Sequence, residues 1–254
     1  MEILVCVKRV PATGAKIVLT ADSQAIETRN LGFAVSPHEE CAVEEAVQLS
    51  EKHGGNTTVL TLGEEASIEQ LREALSMGIN EAILLETDGQ DWEPMATANA
   101  IIKAIKTQQA DGKNFDLLLF GNESADSGGY QIGMRVAYAF DLPIVTGVKN
   151  IQIEDGRVIA KREASGGWEV FEVDLPAVIT VKEGINLPRY PSLPGRMRAK
   201  RKPITRIEPV QSGGGLEKVQ LQVPVEEDSR AQILGDGPDA APKVVGILKE
   251  LGLV

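Results

Sequence analysis

Cysteine, histidine and aromatic residues are scarce in this sequence, and their scarcity excludes several kinds of site. The two cysteines, Cys6 and Cys41, cannot form a disulfide framework and have no metal-ligand spacing. The two histidines, His38 and His53, form neither a HExxH motif nor a recognisable set with serine and aspartate. We therefore predict neither a metal site nor a catalytic centre of the chain's own. Because aromatic residues make up 4% of the chain, its hydrophobic core must be aliphatic.

Positive charge and long apolar runs are also lacking. The formal net charge is -11 over 254 residues, which argues against general affinity for nucleic acids because phosphate binding needs a basic surface. No apolar run is long enough to cross a bilayer, and the first residues do not have the pattern of a signal peptide. We expect a soluble protein of a reducing compartment, without direct insertion into a membrane.

Short apolar runs alternate with helical patterns in the first half of the chain. Capping-box patterns at Ser36 and Ser67 predict two helix starts, and Gly54 and Gly78 predict the ends of those helices. The apolar runs have the length of strands that are buried on both faces. They cover residues 3–7, 57–62, 82–85 and 117–120. This alternation predicts an α/β fold with an open, mostly parallel twisted sheet and helices on both faces, of the Rossmann-like, adenine-nucleotide-binding type.

The pattern changes in the second half. Turn residues at 154–156 predict a hairpin, and the apolar residues at 170–179 extend it into an antiparallel addition to the sheet. A glycine-rich stretch at 212–215 predicts a flexible break. We therefore divide the chain into one α/β domain, residues 1–211, and a flexible linker with a C-terminal arm, residues 212–254, in which a short helix is expected.

A glycine-rich segment, residues 121–133, follows a predicted strand and precedes a predicted helix. Glycines let the backbone approach a phosphate, and the amino terminus of a helix offers free N–H groups there. Ser124, Ser127 and Gln131 can donate further hydrogen bonds. Asp126 would repel a phosphate, so we expect it to cap the helix or to bind a sugar hydroxyl. The segment is neither a P-loop nor a GxGxxG fingerprint, and a tight turn without a ligand explains it equally well.

A proline-rich segment, residues 185–194, is followed by five cations at 196–202. Three prolines spaced by three residues predict an extended loop, because proline removes backbone donors and interrupts helices. The segment nevertheless carries four apolar residues, Ile185, Leu187, Tyr190 and Leu193. Apolar side chains beside cations on an irregular segment indicate a surface that contacts another protein. A loop that folds onto its own core, with solvated cations, is the alternative.

Several collinear segments of the sequence resemble the beta subunit of electron transfer flavoprotein. They are residues 5–10, 42–46, 74–78, 161–163 with 166–167, 175–178 and 186–193. The combination covers most of the chain up to about Pro209. One departure is Ser165, where the family usually has an acidic residue. The resemblance implies an electron-carrier subunit and no enzyme activity of the chain alone.

The resemblance also implies cofactors and partners. In the family, the beta subunit pairs with an alpha subunit that holds most of the FAD, and its C-terminal arm packs on that subunit. The beta subunit typically holds AMP, and in electron-bifurcating members it holds a second FAD. The heterodimer accepts electrons from acyl-CoA dehydrogenases and related enzymes of fatty acid beta-oxidation and passes them to a quinone oxidoreductase or another acceptor. The expected location is the cytoplasm in a bacterium or archaeon and the mitochondrial matrix in a eukaryote.

The resemblance assigns candidate site residues by position. The nucleotide contacts are Cys6, Ser36, Gly63, Asp126, Gly129, Tyr130, Gln131 and Ile132. Thr13 and His38 correspond to positions near the alpha-subunit flavin. Residues 183–202 correspond to the partner-recognition loop, with Ile185 at the position of the anchoring leucine. The partner-binding residues in this loop are Ile185, Leu187, Arg189 and Tyr190.

The choice between AMP and a second FAD depends on residues 126–133. Bifurcating relatives tend to read Asp-Gly-Asp-Thr-Ala-Gln-Val-Gly there, whereas this chain reads Asp-Ser-Gly-Gly-Tyr-Gln-Ile-Gly. The Thr-Ala pair is absent and Tyr130 is bulky, so we favour AMP.

Two other classes fit a parallel sheet with a glycine-rich loop. The first is a nucleotide-binding regulatory domain of the stress-protein type, which would leave the proline-rich segment unexplained. The second is an adenylating enzyme, which would need a phosphate-binding motif after the first strand. Residues 11–14, Pro-Ala-Thr-Gly, match such a motif poorly.

Overall fold

The strands of the computed structural model follow the predicted apolar runs closely. The structure describes residues 1–12, 14, 16–212, 215–224 and 233–254. In these residues the strands are β1 Glu2–Cys6, β2 Val10–Pro11, β3 Phe33–Ala34, β4 Asn56–Gly63, β5 Glu81–Glu86, β6 Leu117–Gly121, β7 Ile144–Glu154, β8 Arg157–Ala164, β9 Gly167–Asp174, β10 Ala177–Val181 and β11 Thr205–Ile207. The α-helices are α1 Pro37–His53, α2 Ile68–Met77, α3 Pro94–Ala110, α4 Ile132–Phe140, α5 Leu193–Arg201 and α6 Ala241–Glu250.

Nine of these strands form one sheet in the order β11-β5-β4-β1-β6-β10-β7-β8-β9, and β2 pairs with β3 in a small antiparallel sheet. Neighbours from β11 to β7 are parallel, whereas β7, β8 and β9 are antiparallel. The turn between β7 and β8 is the hairpin that the turn residues predicted. The α/β fold with a parallel sheet and an antiparallel addition is therefore confirmed.

The helices cover both faces of the sheet, as predicted. Alternate residues of β1 point to opposite faces, so Ile3 and Leu4 belong to two separate core clusters. The first cluster includes residues of α1, α2 and α5, and the second includes residues of α3 and α4. Both clusters are largely aliphatic, in agreement with the composition.

The structure corrects the prediction for β10. The apolar residues at 177–179 were assigned to the antiparallel addition, but β10 lies between β6 and β7 and is parallel to both. All five residues of β10 are buried. A strand that is apolar on both faces belongs in the covered middle of a sheet, which explains the insertion.

Two helix starts also differ from the predictions. Ser67 does not cap α2, because a short 3-10 turn over Glu65–Ser67 runs directly into that helix. The proline-rich segment does not stay extended, since Pro194 lies in the first turn of α5. Proline is accepted in a first helical turn, where its missing N–H has no intrahelical partner. Ser192 is the N-cap of α5, and its hydroxyl accepts a hydrogen bond from the Gly195 N–H at 3.1 Å.

The short helix expected near the C-terminus is present as α6, with Val244, Val245 and Ile247 about 40% exposed. Gly213 and Gly214 of the expected flexible break lie outside the described residues. In the described part of the chain, no helix has both the length and the hydrophobicity that a membrane span requires.

Candidate functional site

The carboxyl ends of β4, β1 and β6 lie side by side at one edge of the sheet. From β1 the chain passes through α1 to β4 on one side, and it later returns through α3 to β6 on the other side. The strand order reverses at β1, and a reversal of this kind opens a crevice at the strand ends where ligands bind. Cys6, Gly63 and Gly121 are the last residues of the three strands. Two of them, Cys6 and Gly63, are among the predicted nucleotide contacts.

The first turn of α1 contacts the glycine-rich segment at this edge. Ser36 is fully buried, and its hydroxyl donates to the Glu123 carbonyl oxygen at 3.2 Å. His38 Nε2 lies 3.2 Å from Glu123 Oε1, and His38 Nδ1 accepts a hydrogen bond from the Glu183 N–H at 2.8 Å. His38 therefore joins α1 to the segment after β6 and to the segment after β10. Of the two residues predicted near the flavin, Thr13 lies outside the described residues.

Glu39 is a buried carboxyl group that the sequence indicated only as part of a capping box. Its Oε2 accepts hydrogen bonds from the Ser36 N–H at 3.4 Å and from the Lys8 N–H at 3.1 Å. Burial raises the pKa of Glu39 to about 8, although these backbone hydrogen bonds oppose the rise. At neutral pH the group is therefore mostly protonated and adds little negative charge to the crevice. A Cβ on Gly121 would lie 2.5 Å from Glu39 Cγ, so the glycine makes this placement possible.

The loop between β6 and α4 has an unusual backbone. Gly128 and Tyr130 both have positive φ angles, 55° and 54°. For Tyr130 such an angle is uncommon and indicates a conformation held by its surroundings. Gln131 is the N-cap of α4 but makes no capping hydrogen bond with its side chain, which instead accepts from Arg135 Nη2 at 2.8 Å. The first N–H groups of α4 are thus left without a side-chain cap, as an anion site requires.

Asp126 does not cap α4, which was one of the two roles predicted for it. It forms an ion pair with Lys8, and its Oδ1 accepts a hydrogen bond from the Ser127 N–H at 2.7 Å. Burial of Asp126 opposes ionisation, but the charge and hydrogen bond of Lys8, together with hydrogen bonds from Ser124 and Ser127, hold the pKa of the carboxyl group below its ordinary value. Sequence reasoning did not single out Lys8, whose position two residues beyond the end of β1 was the available signal.

The remaining predicted contacts differ in accessibility. The Cys6 thiol is buried, and burial raises its pKa. A Cβ on Gly63 would lie 2.4 Å from Ser67 Oγ, whereas a Cβ on Gly129 would meet no described atom within 4 Å. Ile132 begins α4 and is half-buried, and Tyr130 is 51% exposed. Of the predicted contacts, Cys6 is therefore closed to solvent, whereas Gly129 and Tyr130 are accessible.

A cavity of about 270 Å³ lies beside the glycine-rich loop, next to the ends of β6 and β10 and the start of β7. Its lining residues are Asn122, Tyr130, Met134, Thr146, Gly147, Arg162 and Thr180. Arg162 stacks on the Phe171 ring at 4.9 Å and pairs with Glu169 at 2.5 Å. Tyr130 forms a wall of this cavity, which sequence reasoning did not anticipate.

The predicted recognition loop lies against α1. Ile185 is half-buried and packs against the core, whereas Leu187 and Tyr190 are 89% and 97% exposed. Arg189 pairs with Glu44 and Glu51 of α1 at 2.9 and 2.7 Å. The loop therefore combines the two alternatives: its base folds onto the core and its tip is open to solvent.

Comparison with known proteins identifies the family. A model of the electron transfer flavoprotein domain matches residues 14–212. The chain is 32% identical to electron transfer flavoprotein subunit beta of Bacillus subtilis over 98% of both chains. It is 34% identical to the subunit of the same name of Syntrophomonas wolfei, over 98% of this chain and 96% of the relative. It is also 35% identical to caffeyl-CoA reductase-Etf complex subunit CarD of Acetobacterium woodii, over 81% and 77%.

The chain therefore belongs to the electron transfer flavoprotein beta-subunit family. A member of this family is an electron-transport subunit of a flavoprotein and has an alpha subunit as its partner. In the described residues, no group of three or more histidine, cysteine, aspartate or glutamate side chains could hold a metal ion.

Proposed function

We propose that this chain completes the FAD site of its alpha subunit, binds AMP, and docks dehydrogenases of the acyl-CoA type for electron transfer to a quinone oxidoreductase or similar acceptor. The observation that carries the proposal is the loop between β6 and α4. It brings together the uncapped start of α4, Lys8 after the end of β1, and the carboxyl group of Glu39 in the first turn of α1. We also propose a cytoplasmic location in a bacterium or archaeon.

The donor set of the crevice fits a nucleoside monophosphate. The first N–H groups of α4 and the Lys8 ammonium supply positive potential for a phosphate. Lys8 is shared with Asp126, so a phosphate would compete with that carboxylate for the same cation. Protonated Glu39 removes a second source of repulsion. We propose that AMP contacts Ser36, Gly63, Asp126 and residues 129–132, with its phosphate at the start of α4.

Bound FAD would supply the redox chemistry, and this chain would position it. We propose that His38 faces the alpha-subunit flavin. Its two ring nitrogens are both engaged, by Glu123 and by the Glu183 N–H, so the ring has a fixed orientation. We propose a positioning role for His38 and no catalytic role.

A second FAD in place of AMP is the alternative function. One relative is named as a subunit of a caffeyl-CoA reductase-Etf complex, and the cavity behind Tyr130 offers space next to the loop. Tyr130 itself favours AMP, because its bulky side chain lines this cavity and takes up space that a larger nucleotide would need.

Nucleotide analysis of the heterodimer tests the proposal. The chain is co-expressed with its alpha subunit, the nucleotides are released with acid, and flavin and AMP are counted by chromatography. We expect one FAD and one AMP for each heterodimer, whereas two FAD and no AMP would establish the alternative. Lys8→Met should lower the retained AMP, and Lys16→Met, which removes an exposed lysine of the same N-terminal region, should leave it unchanged.

Docking is tested with substitutions in the recognition loop. Ile185→Ala and Leu187→Ala should each raise the apparent KM of a dehydrogenase for the heterodimer about tenfold, the effect of losing about 1.4 kcal/mol of binding. Flavin content and subunit pairing should not change. Loss of flavin or of pairing in Ile185→Ala would show that this half-buried residue is structural and that the exposed tip carries the contact.

A further inference from the structure

The recognition loop presents exposed apolar side chains but is fixed by polar contacts at its base. The Arg189 guanidinium group makes two forked contacts with α1. Its Nε and Nη2 lie 2.9 and 3.0 Å from the two carboxylate oxygens of Glu44, and its Nη1 and Nη2 lie 2.7 and 3.0 Å from those of Glu51. We call Arg189, Glu44 and Glu51 the latch.

The latch differs from an ordinary surface ion pair because the Glu44 side chain is only 3% exposed. Glu44 also accepts hydrogen bonds from the Arg189 N–H at 3.1 Å and from Gln48 Nε2 at 2.8 Å. A buried carboxylate needs a charged partner, and a bidentate arginine is the strongest one available. The hydrogen bonds that Arg189 donates to Glu51 and Glu44 raise its pKa above the ordinary value. The side chain and the backbone of Arg189 are therefore both held by α1.

A second tether lies three residues earlier. Asn186 Nδ2 donates to the Cys41 carbonyl oxygen at 3.0 Å and to Glu45 Oε2 at 2.9 Å. The two tethers enclose Leu187 and precede Tyr190. In the described structure no backbone–backbone hydrogen bond involves residues 186–191. Side-chain contacts with α1 therefore fix this part of the loop.

Packing beneath the loop does not replace these contacts. A cavity of about 370 Å³ lies between the loop, α2 and α5, and Arg189 and Tyr190 form part of its wall. Besides the prolines, the two tethers and a contact of Cys41 Sγ with the Asn186 carbonyl oxygen at 3.7 Å hold this part of the loop on α1. Without the latch, the chain from residue 187 onward would gain conformations that a partner must suppress on binding.

We propose that Arg189 is a positioning residue for dehydrogenase docking, which acts inside this chain by holding Leu187 and Tyr190 in the orientation that the partner binds. This role rests on the proposed docking function. It reassigns Arg189 from a residue that contacts the partner to one that fixes the loop before contact. Docking of a fixed loop avoids the cost of ordering it, so the latch contributes to affinity without touching the partner.

Hydrogen exchange of the heterodimer tests the latch directly. The variants are Arg189→Gln, Arg189→Lys and Glu51→Gln, with Arg196→Gln as the control for charge because Arg196 is exposed on α5 and lies in the same segment. The Arg189 N–H donates to Glu44, and its exchange, followed in a peptide covering residues 186–193, should be at least tenfold faster in Arg189→Gln and less accelerated in the two milder variants. Peptides from β6 and β10 should not change, and Arg196→Gln should match the parent.

Docking is then measured with a short-chain acyl-CoA dehydrogenase, butyryl-CoA and a dye as the final acceptor. Arg189→Gln should raise the apparent KM for the heterodimer about tenfold at both low and high salt, with kcat unchanged. Arg196→Gln should mainly alter the salt dependence, as a rim charge does.

Weaker docking without faster loop exchange would overturn the proposal, since Arg189 would then contact the partner itself. Unchanged docking despite faster exchange would also overturn it. If the parent heterodimer itself does not couple to the dehydrogenase, the docking function fails separately, whatever the exchange shows.

Discussion

Replacement of Glu39 by glutamine should change the pH dependence of stability. The Glu39 carboxyl group is buried beneath the loop after β6, where its Oε2 accepts backbone hydrogen bonds from Lys8 and Ser36. Glutamine has nearly the same shape and keeps an acceptor for these hydrogen bonds, but it cannot ionise. The substitution therefore isolates the effect of titration from the effect of packing.

The expected magnitude follows from the pKa of Glu39, which burial raises from 4.5 to about 8 in the folded protein. A raised folded pKa means that the folded state keeps a proton that the unfolded state releases. The resulting stabilisation is complete below pH 4.5 and is lost as the pH rises towards 8. The difference between the two pKa values corresponds to a loss of about 5 kcal/mol in the free energy of unfolding. Glu39→Gln lacks this loss, so its unfolding free energy relative to the parent should increase from pH 4.5 to pH 8 and then stay constant.

Urea denaturation of the purified protein at several pH values between 4.5 and 8.5 measures this difference. Glu69→Gln is the matched control, since Glu69 is an exposed carboxylate in the first turn of α2. The control should follow the parent at every pH. A constant offset between Glu39→Gln and the parent across the range would refute the reasoning, because it would mean that Glu39 titrates alike in the folded and unfolded states.

Three glycine substitutions give further predictions. Gly121→Ala should release the bound nucleotide and destabilise the protein by about 1–3 kcal/mol, because its Cβ would lie 2.5 Å from Glu39 Cγ. If chromatography finds as much bound nucleotide in this variant as in the parent, the prediction is wrong. Gly195→Ala should lower the free energy of unfolding, measured by urea denaturation, by a similar amount. Its Cβ would lie 2.6 Å from the Ser76 carbonyl oxygen and force α5 away from α2. Gly246→Ala, in the interior of α6 with no described atom within 4 Å of the new Cβ, should instead stabilise the helix by about 1 kcal/mol. A lower melting temperature of Gly246→Ala would contradict this and would show that α6 needs the glycine for close contact with another surface.

The sequence predicts local elements well because their signals lie within a few residues. The apolar runs of β1, β4, β5 and β6 and the glycine ends of α1 and α2 required no knowledge of distant contacts. The place of β10 could not be read in this way, because its neighbours are chosen by pairing across the sheet. Pro194 shows a different limit, since a proline is equally compatible with a loop and with a first helical turn.

The candidate site was predictable as a region but not as a set of interactions. The glycine-rich loop and the strand ends indicated where it lies. The ion pair of Lys8 with Asp126 joins residues 118 positions apart, and Arg189 and Glu44 are 145 positions apart. Such pairs have no sequence signal, because many charged residues could satisfy the same pattern. The state of Glu39 depends on burial, which only the packed structure provides.

The position of β10 also determines when the sheet becomes continuous during synthesis. The parallel strands up to β6 emerge first, and the ribbon of β7, β8 and β9 follows. In the described sheet, β10 is the hydrogen-bonded link between these two parts. Until it emerges from the ribosome, one side of β6 displays unpaired N–H and C=O groups that another nascent chain could pair with. Residues 177–181 therefore close a vulnerable edge as well as complete the core.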